Sequence, residues 1–203
     1  KTVFTALSIL DKRYKIEFKS DRIIAVSNTV KNMLTGKFSL SPGKIELIPN
    51  FTDTNEIRGH EILPESKTSR GKIFNILAIG RFHHEKNFET LLRALVILNN
   101  RNIRLKLIGE GDNDIDYRKF ISHHKLNVEI IIPQKNLNRH FESADICVLP
   151  SVRDPFPNFM LQAGLHKKPF IGANVDGIGE LIKDGQNGLL FESRNEYELA
   201  EKI

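Results

Sequence analysis

From Phe74 to the end of the chain, short apolar runs alternate with longer amphipathic stretches, and this alternation constrains the fold more than any other feature. The apolar runs are Phe74 to Ile79, Arg104 to Ile108, Glu129 to Ile132, Asp145 to Leu149, Pro169 to Gly172 and Gly188 to Phe191. Runs this short, mostly apolar and rich in Ile, Leu and Val, read as strands covered on both faces. Between them lie helical patterns over Phe88 to Leu98, up to about His124, Leu137 to Glu142, after Pro157, Gly177 to Ile182 and from Asn195. Strand–helix alternation of this kind predicts a mostly parallel sheet with helices on both faces, an α/β fold of Rossmann-like type. Ligands of such sheets sit beyond the carboxyl ends of the strands, so the loops after Ile79, Ile108, Ile132 and Leu149 are the ones to read for chemistry.

The first third is less regular. Residues 1–20 give no pattern clearer than a helix. "DRIIAVSNTVKNML" reads as a strand from Ile23 to Val26, a cap at Ser27 or Asn28 and a helix to about Leu34. Lys44 to Ile48 reads as a strand stopped by Pro49. Glu56 to Lys72 is polar, carries Pro64, Ser66, Ser69 and Gly71, and is the linker candidate. The expected division is 1–69, a tail plus linker, and 70–203, the Rossmann-like domain. The closing "LAEKI" reads as an unfinished helix, which suggests a piece of a longer protein.

A formal charge of +5 suits an anionic small ligand, an acidic membrane surface or nucleic acid, and does not choose among them. The single cysteine, Cys147, sits within an apolar run, where it reads as a small buried hydrophobe and favours a reducing compartment. No run approaches the ~18 apolar residues of a membrane span. Asp11, Lys12 and Arg13 break any signal-peptide layout.

Four loops carry candidate chemistry. In "GRFHHEKN", Gly80 permits a tight turn, while Arg81 and Lys86 bring a guanidinium fork and a point charge to the mouth of the sheet, a pairing suited to phosphate oxygens. His83 and His84 lack a partner cluster and read as surface residues rather than metal ligands. In "IGEGDND", Gly109 and Gly111 allow backbone to approach a flat ligand, although the full dinucleotide fingerprint is missing. In "VLPSVRDPFPNFMLQAG", Pro155 and Pro157 stiffen a turn that leaves the amides of Phe156, Asn158 and Phe159 free at a helix start, where an anion is favoured. Asp154 can accept bonds from hydroxyls or cap that helix, and Gln162 either bonds another hydroxyl or is an exposed helix residue. In "NVDGIGELIKDG", Glu180 reads as a surface glutamate in the first turn of a helix.

Together these segments resemble the retaining glycosyltransferases of family 4, with GT-B architecture. "DRIIAVSNTVKNML" and "KIELIPNFTD" look like the end of the family's N-terminal domain. "ILAIGRFHHEKNFETLLRAL", "LKLIGEGD" and the block from "ADICVLPS" to "GQNGLLF" look like successive motifs of its C-terminal domain. The similarity spans about residues 21–203. It implies a nucleotide-diphosphate sugar as donor and a glycan or lipid-linked acceptor, within surface polysaccharide or lipopolysaccharide biosynthesis. It implies no metal or other cofactor and no nucleic-acid partner. A cytoplasmic location, with peripheral contact to an anionic membrane at its inner face, is the matching expectation.

Carried over by position, the catalytic residues are Arg81, Lys86 and Asp154: the two cations on the diphosphate, the carboxylate on sugar hydroxyls. Gly80, Gly109, Gly111, Pro133, Phe156, Pro157, Asn158, Phe159 and Gln162 would bind the rest of the donor, with Gln162 at the ribose and the segment from Ile132 to Gln134 beside the base. Two features depart from the family. Its pair of glutamates is here Asp154 and Gln162, and most of its N-terminal domain is missing, so the chain alone is expected to bind donor weakly and to transfer nothing. Loss of the second carboxylate also fits a nucleotide-sugar-binding subunit without catalysis. A GT-B epimerase is the third reading, and the block around Asp154 resembles it less.

Overall fold

The computed structural model describes residues 1–10, 19–53 and 73–203. In the first part, β1 (Val3–Ala6), β2 (Arg22–Ala25) and β3 (Ile45–Leu47) pair in parallel in that order. β1 corrects the helix expected near the N-terminus: Val3, Phe4 and Thr5 are β-branched or aromatic, and the ladder to β2 takes up their backbone groups. Residues 11–18 lie outside the described residues, as do the expected linker over 56–72 and the boundary at 69/70. Ser27 is the N-cap of α1 (Asn28–Asn32). Its backbone is extended and its hydroxyl accepts a bond from the Val30 amide at 3.2 Å. The helix then widens into a π turn over Met33–Lys37, three residues past its expected end, closed by a Phe38 N–H to Met33 C=O bond.

The second part holds β4 (Phe74–Ile79), β5 (Ile103–Ile108), β6 (Val128–Ile131), β7 (Ile146–Leu149), β8 (Phe170–Ala173) and β9 (Leu189–Phe191). Its helices are α2 (Phe88–Leu98), α3 (Asp114–His124), α4 (Asn138–Ser143), α5 (Asn158–Leu165), α6 (Asp176–Leu181) and α7 (Glu196–Lys202). The expected α/β Rossmann-like fold is present, with limits displaced by a residue or so. β6, for example, stops at Ile131 and leaves Ile132 71% exposed. All neighbouring strands are parallel, in the order β6-β5-β4-β7-β8-β9.

Side chains alternate across the sheet and build two cores. Ile76 and Ala78 of β4, with Leu105, Leu107, Val148 and Ile171, face α2, α3 and α7 through Leu91, Leu92, Tyr117 and Leu199. Leu77, Cys147, Leu149 and Phe170 face α4, α5 and α6 through Phe141, Phe159, Met160 and Ile178. Cys147 is fully buried, which pushes its thiol up to about 12 and leaves it inert at neutral pH.

The order reverses between β4 and β7. The chain leaves β4 toward β5 on one side and, after β6, returns to β4's other side as β7. The loops at the carboxyl ends of these two strands therefore diverge and leave a crevice between them.

The two sheets meet at this crevice. Phe156, from the loop after β7, packs into the core under the first sheet with Ile23, Val26, Val30 and Leu34. Its carbonyl accepts a bond from Asn50 Nδ2 at 3.0 Å. Glu180, expected as a surface residue in a first helical turn, instead sits one turn into α6 and clasps α1. Its carboxylate accepts bonds from the Asn28 amide (2.8 Å) and side chain (3.1 Å), and from the Thr29 amide (2.6 Å) and hydroxyl (2.7 Å). Partial burial alone would raise this carboxyl, but the bonds from Thr29 and Asn28 outweigh it and hold the group below its ordinary value. A carboxylate held low stabilises the folded state above its unfolded value, and that contribution is lost as pH falls through the folded value. The Asn28 and Thr29 amide resonances should therefore titrate together with a midpoint below 4.5, and a midpoint at or above 4.5 would show that the clasp is not formed in solution.

Candidate functional site

Loop packing comes first, because it decides which groups face the crevice. Phe82 is fully buried, edge-on to Phe88 (6.0 Å) and Tyr117 (5.4 Å), and pins the loop after β4. Its amide donates to the Glu110 carbonyl (2.7 Å), and its own carbonyl accepts from the Asn113 amide (3.1 Å), so the loops after β4 and β5 are bonded to each other. This accounts for two glycines. A Cβ on Gly109 would stand 2.0 Å from the Gly80 carbonyl oxygen, and Gly111, at φ 145°, lies against the Phe82 backbone. Both are needed for this loop-to-loop contact.

The loops after β4 and β7 are tied as well. The Val152 amide donates to the Glu85 carbonyl (2.8 Å), and Asn87 Nδ2 donates to Thr90 Oγ1 (2.7 Å) and the Pro150 carbonyl (3.3 Å). Asn87 begins α2 from a left-handed backbone, φ 49°, a conformation that asparagine tolerates better than most residues.

Between these loops lies a cavity of about 660 Å³. Gly80, Arg81, Glu85 and Lys86 line one wall, residues 153–159 and Gln162 the opposite one, and Leu7, Ser8, Ile9 and Asn50 of the first part close it. A smaller hollow of about 230 Å³ adjoins it, lined by Gly80, Arg81, Gly109, Glu110, Pro133 and Gln134 among others. Of the residues singled out from sequence, Gly80, Arg81, Lys86, Asp154, Phe156, Pro157, Asn158, Phe159 and Gln162 share the large cavity, while Pro133 and Gly109 share the small one. Gly111 lines neither. Leu7, Ser8, Ile9, Asn50, Glu85 and Arg153 were not anticipated. Asn50 and residues 7–9 follow strand ends of the first sheet, which was the only signal available for them.

The charges are arranged unevenly. Lys86 Nζ is bonded to Asp154, whose side chain is only 5% exposed, so the lysine expected to await an anion is already paired. Gly80 makes room for this: a Cβ there would crowd Phe88 and the Lys86 stem. Asp154 does not cap α5, whose N-cap is Pro157 with no side-chain bond. Instead its amide donates to Asp176 Oδ2 (2.9 Å) and its carbonyl accepts from the Gly177 amide (3.0 Å). Burial pushes the Asp176 carboxyl up, opposed by that bond from the Asp154 amide. Arg81 is exposed at the junction of the two hollows.

No side chain caps α5, and Asn158 and Phe159 of its first turn line the cavity, so a helix start that favours negative charge borders it. Gln162 follows one turn later and supplies both a donor and an acceptor. Cations and amides for an anion thus stand beside acceptors for hydroxyls. His83 and His84 lie ring against ring at 4.1 Å, and among the described residues no group of three or more His, Cys, Asp or Glu could hold a metal ion.

Residues 73–203 match the model for glycosyl transferases group 1, and residues 4–56 match that for glycosyltransferase family 4. An uncharacterized glycosyltransferase of Methanocaldococcus jannaschii is 28% identical over 92% of this chain and 51% of its own length. The GPI3 subunit of phosphatidylinositol N-acetylglucosaminyltransferase of Saccharomyces cerevisiae is 27% identical over 80% of this chain and 37% of its own. The chain thus spans about half, or less, of these curated relatives. Among solved structures, HepE of Anabaena in complex with UDP and glucose superposes with a TM-score of 0.80 at 20% identity, over 98% of this chain and 60% of that one. A glycosyltransferase from Rickettsia africae gives 0.83 at 21%, over 99% and 59%. With one family model covering well over half its residues and GT-B enzymes sharing its fold, the chain belongs to the glycosyl transferases group 1, as a GT-B domain of family 4 type.

Proposed function

We propose that this chain is the donor-binding part, with the end of the acceptor-side part, of a retaining glycosyltransferase that takes its sugar from a nucleotide diphosphate. The observation that carries the reading is the large cavity at the strand-order reversal, where Arg81, Lys86 and the uncapped start of α5 surround space next to Asp154 and Gln162. The smaller hollow beside Pro133 is the proposed base pocket. HepE was solved with UDP and glucose, and the pneumococcal O-GlcNAc transferase GtfA with UDP and GlcNAc, so a uridine nucleotide is the first donor to try.

Relatives include an amylovoran biosynthesis glycosyltransferase of Erwinia amylovora and the yeast GPI3 subunit. They support a glycan or lipid-linked acceptor and a role in surface polysaccharide or lipopolysaccharide assembly, at the cytoplasmic face of a membrane that the positive charge would favour.

In this mechanism negative charge grows on the departing diphosphate, and fixed donors stabilise it more than they stabilise the bound donor. Arg81 and the amides at the start of α5 are in position from the outset. Lys86 must exchange Asp154 for phosphate, which frees the carboxylate to accept bonds from sugar hydroxyls. Cationic side chains do the work that a metal ion does in other transferases, so the reaction needs none.

Arg81→Ala should weaken UDP binding by about 10–100-fold, the worth of one charge-assisted contact. Isothermal titration measures this, and an unchanged Kd would remove Arg81 from the site. Lys86→Met leaves Asp154 buried without its cation and should cost about 3 kcal/mol of folding stability in urea unfolding. A loss below ~1 kcal/mol would mean that the pair is effectively solvent-exposed. Gln162→Glu adds a third carboxylate to the cavity that also holds Arg81 and Lys86, and should weaken UDP binding in the same titration; an unchanged or lower Kd would show that residue 162 stands away from the diphosphate. A non-catalytic nucleotide-binding subunit is the second reading, favoured by the neutral Gln162, and turnover by the longer chain with Gln162 in place would rule it out.

A further inference from the structure

Asp154 is held from behind by α6. Asp176 and Gly177, the first two residues of that helix, bond the Asp154 amide and carbonyl, and Gly177 packs so closely that a Cβ would stand 2.0 Å from the Pro155 carbonyl oxygen. Asp176 is held at φ 41°, in the left-handed region that non-glycine residues enter at some energetic cost. One turn further along the same short helix, Glu180 clasps the start of α1 through four bonds. The helix is too short to bend between these two grips, and neither Asp176 nor Glu180 lines the cavity.

We propose that α6 is a rigid coupler: it transmits the orientation of the first sheet to the position of Asp154, with Glu180 as the positioning residue at the far end. A shift of α1 must either break the four-bond clasp or carry α6, and with it the Asp154 backbone. The Phe156 anchor and the Asn50 bond make a parallel connection to the same loop, so the loop is held from two sides by the first sheet. Because such coupling is reciprocal, a ligand gripping Asp154 tightens the clasp at α1. Only this last step rests on the nucleotide-sugar reading above.

The test is site-resolved amide hydrogen exchange in the unaltered chain, in Glu180→Gln, which keeps the volume but halves the accepting capacity, and in Thr29→Val, which removes a donor from the other side. Both variants should speed exchange at least tenfold at Asn28, at Asp154 and at Gly177, while β4 and β5 amides keep their rates. Acceleration confined to Asn28 and its neighbours would reduce Glu180 to a local cap and overturn the coupling; uniform acceleration through β4 and β5 would be general destabilisation and would also overturn it. UDP titration adds the ligand arm: Kd should rise at least threefold in Glu180→Gln, and an unchanged Kd would disconnect the coupler from the site. Failure of UDP to bind the unaltered chain would sink the proposed function instead, with the exchange rates still deciding the coupling.

Discussion

Everything at the site follows from one constraint, the reversal of strand order between β4 and β7. In a parallel sheet each strand end opens into a loop that crosses to one face, and successive loops normally cover one another. Where the order reverses, the loops leave in opposite directions and the strand ends between them stay uncovered. In this chain Gly80–Lys86 departs one way and Pro150–Pro157 the other, and the large cavity is the gap they leave. The residues that line it are set by where β4 and β7 end.

A gap lined by charge would be unstable if left without internal pairing. Burying Asp154 costs several kcal/mol unless a cation compensates, and Lys86 does so from the opposite wall. The pair bridges the crevice and keeps both side chains in a defined place before any ligand arrives. A diphosphate outcompetes Asp154 for Lys86 only if it brings more charge and other partners compensate the carboxylate left behind. Sugar hydroxyls can do that, whereas a bare phosphate cannot. In the proposed reading the bridge would therefore act as a filter favouring ligands that carry both an anion and a hydroxyl-bearing group, which is the composition of a nucleotide sugar.

The second sheet was almost wholly legible from the sequence, because strands covered on both faces leave continuous apolar runs and the helices between them keep their period. The first sheet was harder. Val3–Ala6 is short and half exposed, so only its ladder to β2 reveals it as a strand. Within the site, loop composition offered the cations, an acid and a helix start as candidates, and the family resemblance rather than spacing gave Arg81, Lys86 and Asp154 their expected roles. Neither could show that Gly109 and Gly111 serve Phe82, that Lys86 is already paired, or that Glu180 reaches α1. These are contacts between residues far apart in sequence; Glu180 and Asn28, for instance, are 152 positions apart. Residue type alone assigned Glu180 to the solvent; the cap at Ser27 marked the start of α1, but nothing local says which distant acid meets its first amides.

Gln162 looks like a loss when set beside the carboxylate expected from the family, yet the charge balance around it gives a physical reason. The large cavity already holds Glu85 and Asp154 against Arg81, Lys86 and Arg153. A third carboxylate would cancel the remaining positive charge and, in the proposed reading, put a like charge in the cavity that takes the diphosphate, where an effective dielectric constant near 20 leaves a repulsion on the order of a few kcal/mol at ~5 Å. An amide avoids that repulsion and still offers an acceptor to a hydroxyl. What it gives up is the strength of a charge-assisted bond. The acid at 154, shorter but equally charged and paired with Lys86, leaves that balance unchanged, so in the proposed reading it is the neutral residue at 162 that would keep the phosphate end of the cavity positive and shift the grip from the ribose toward the anion.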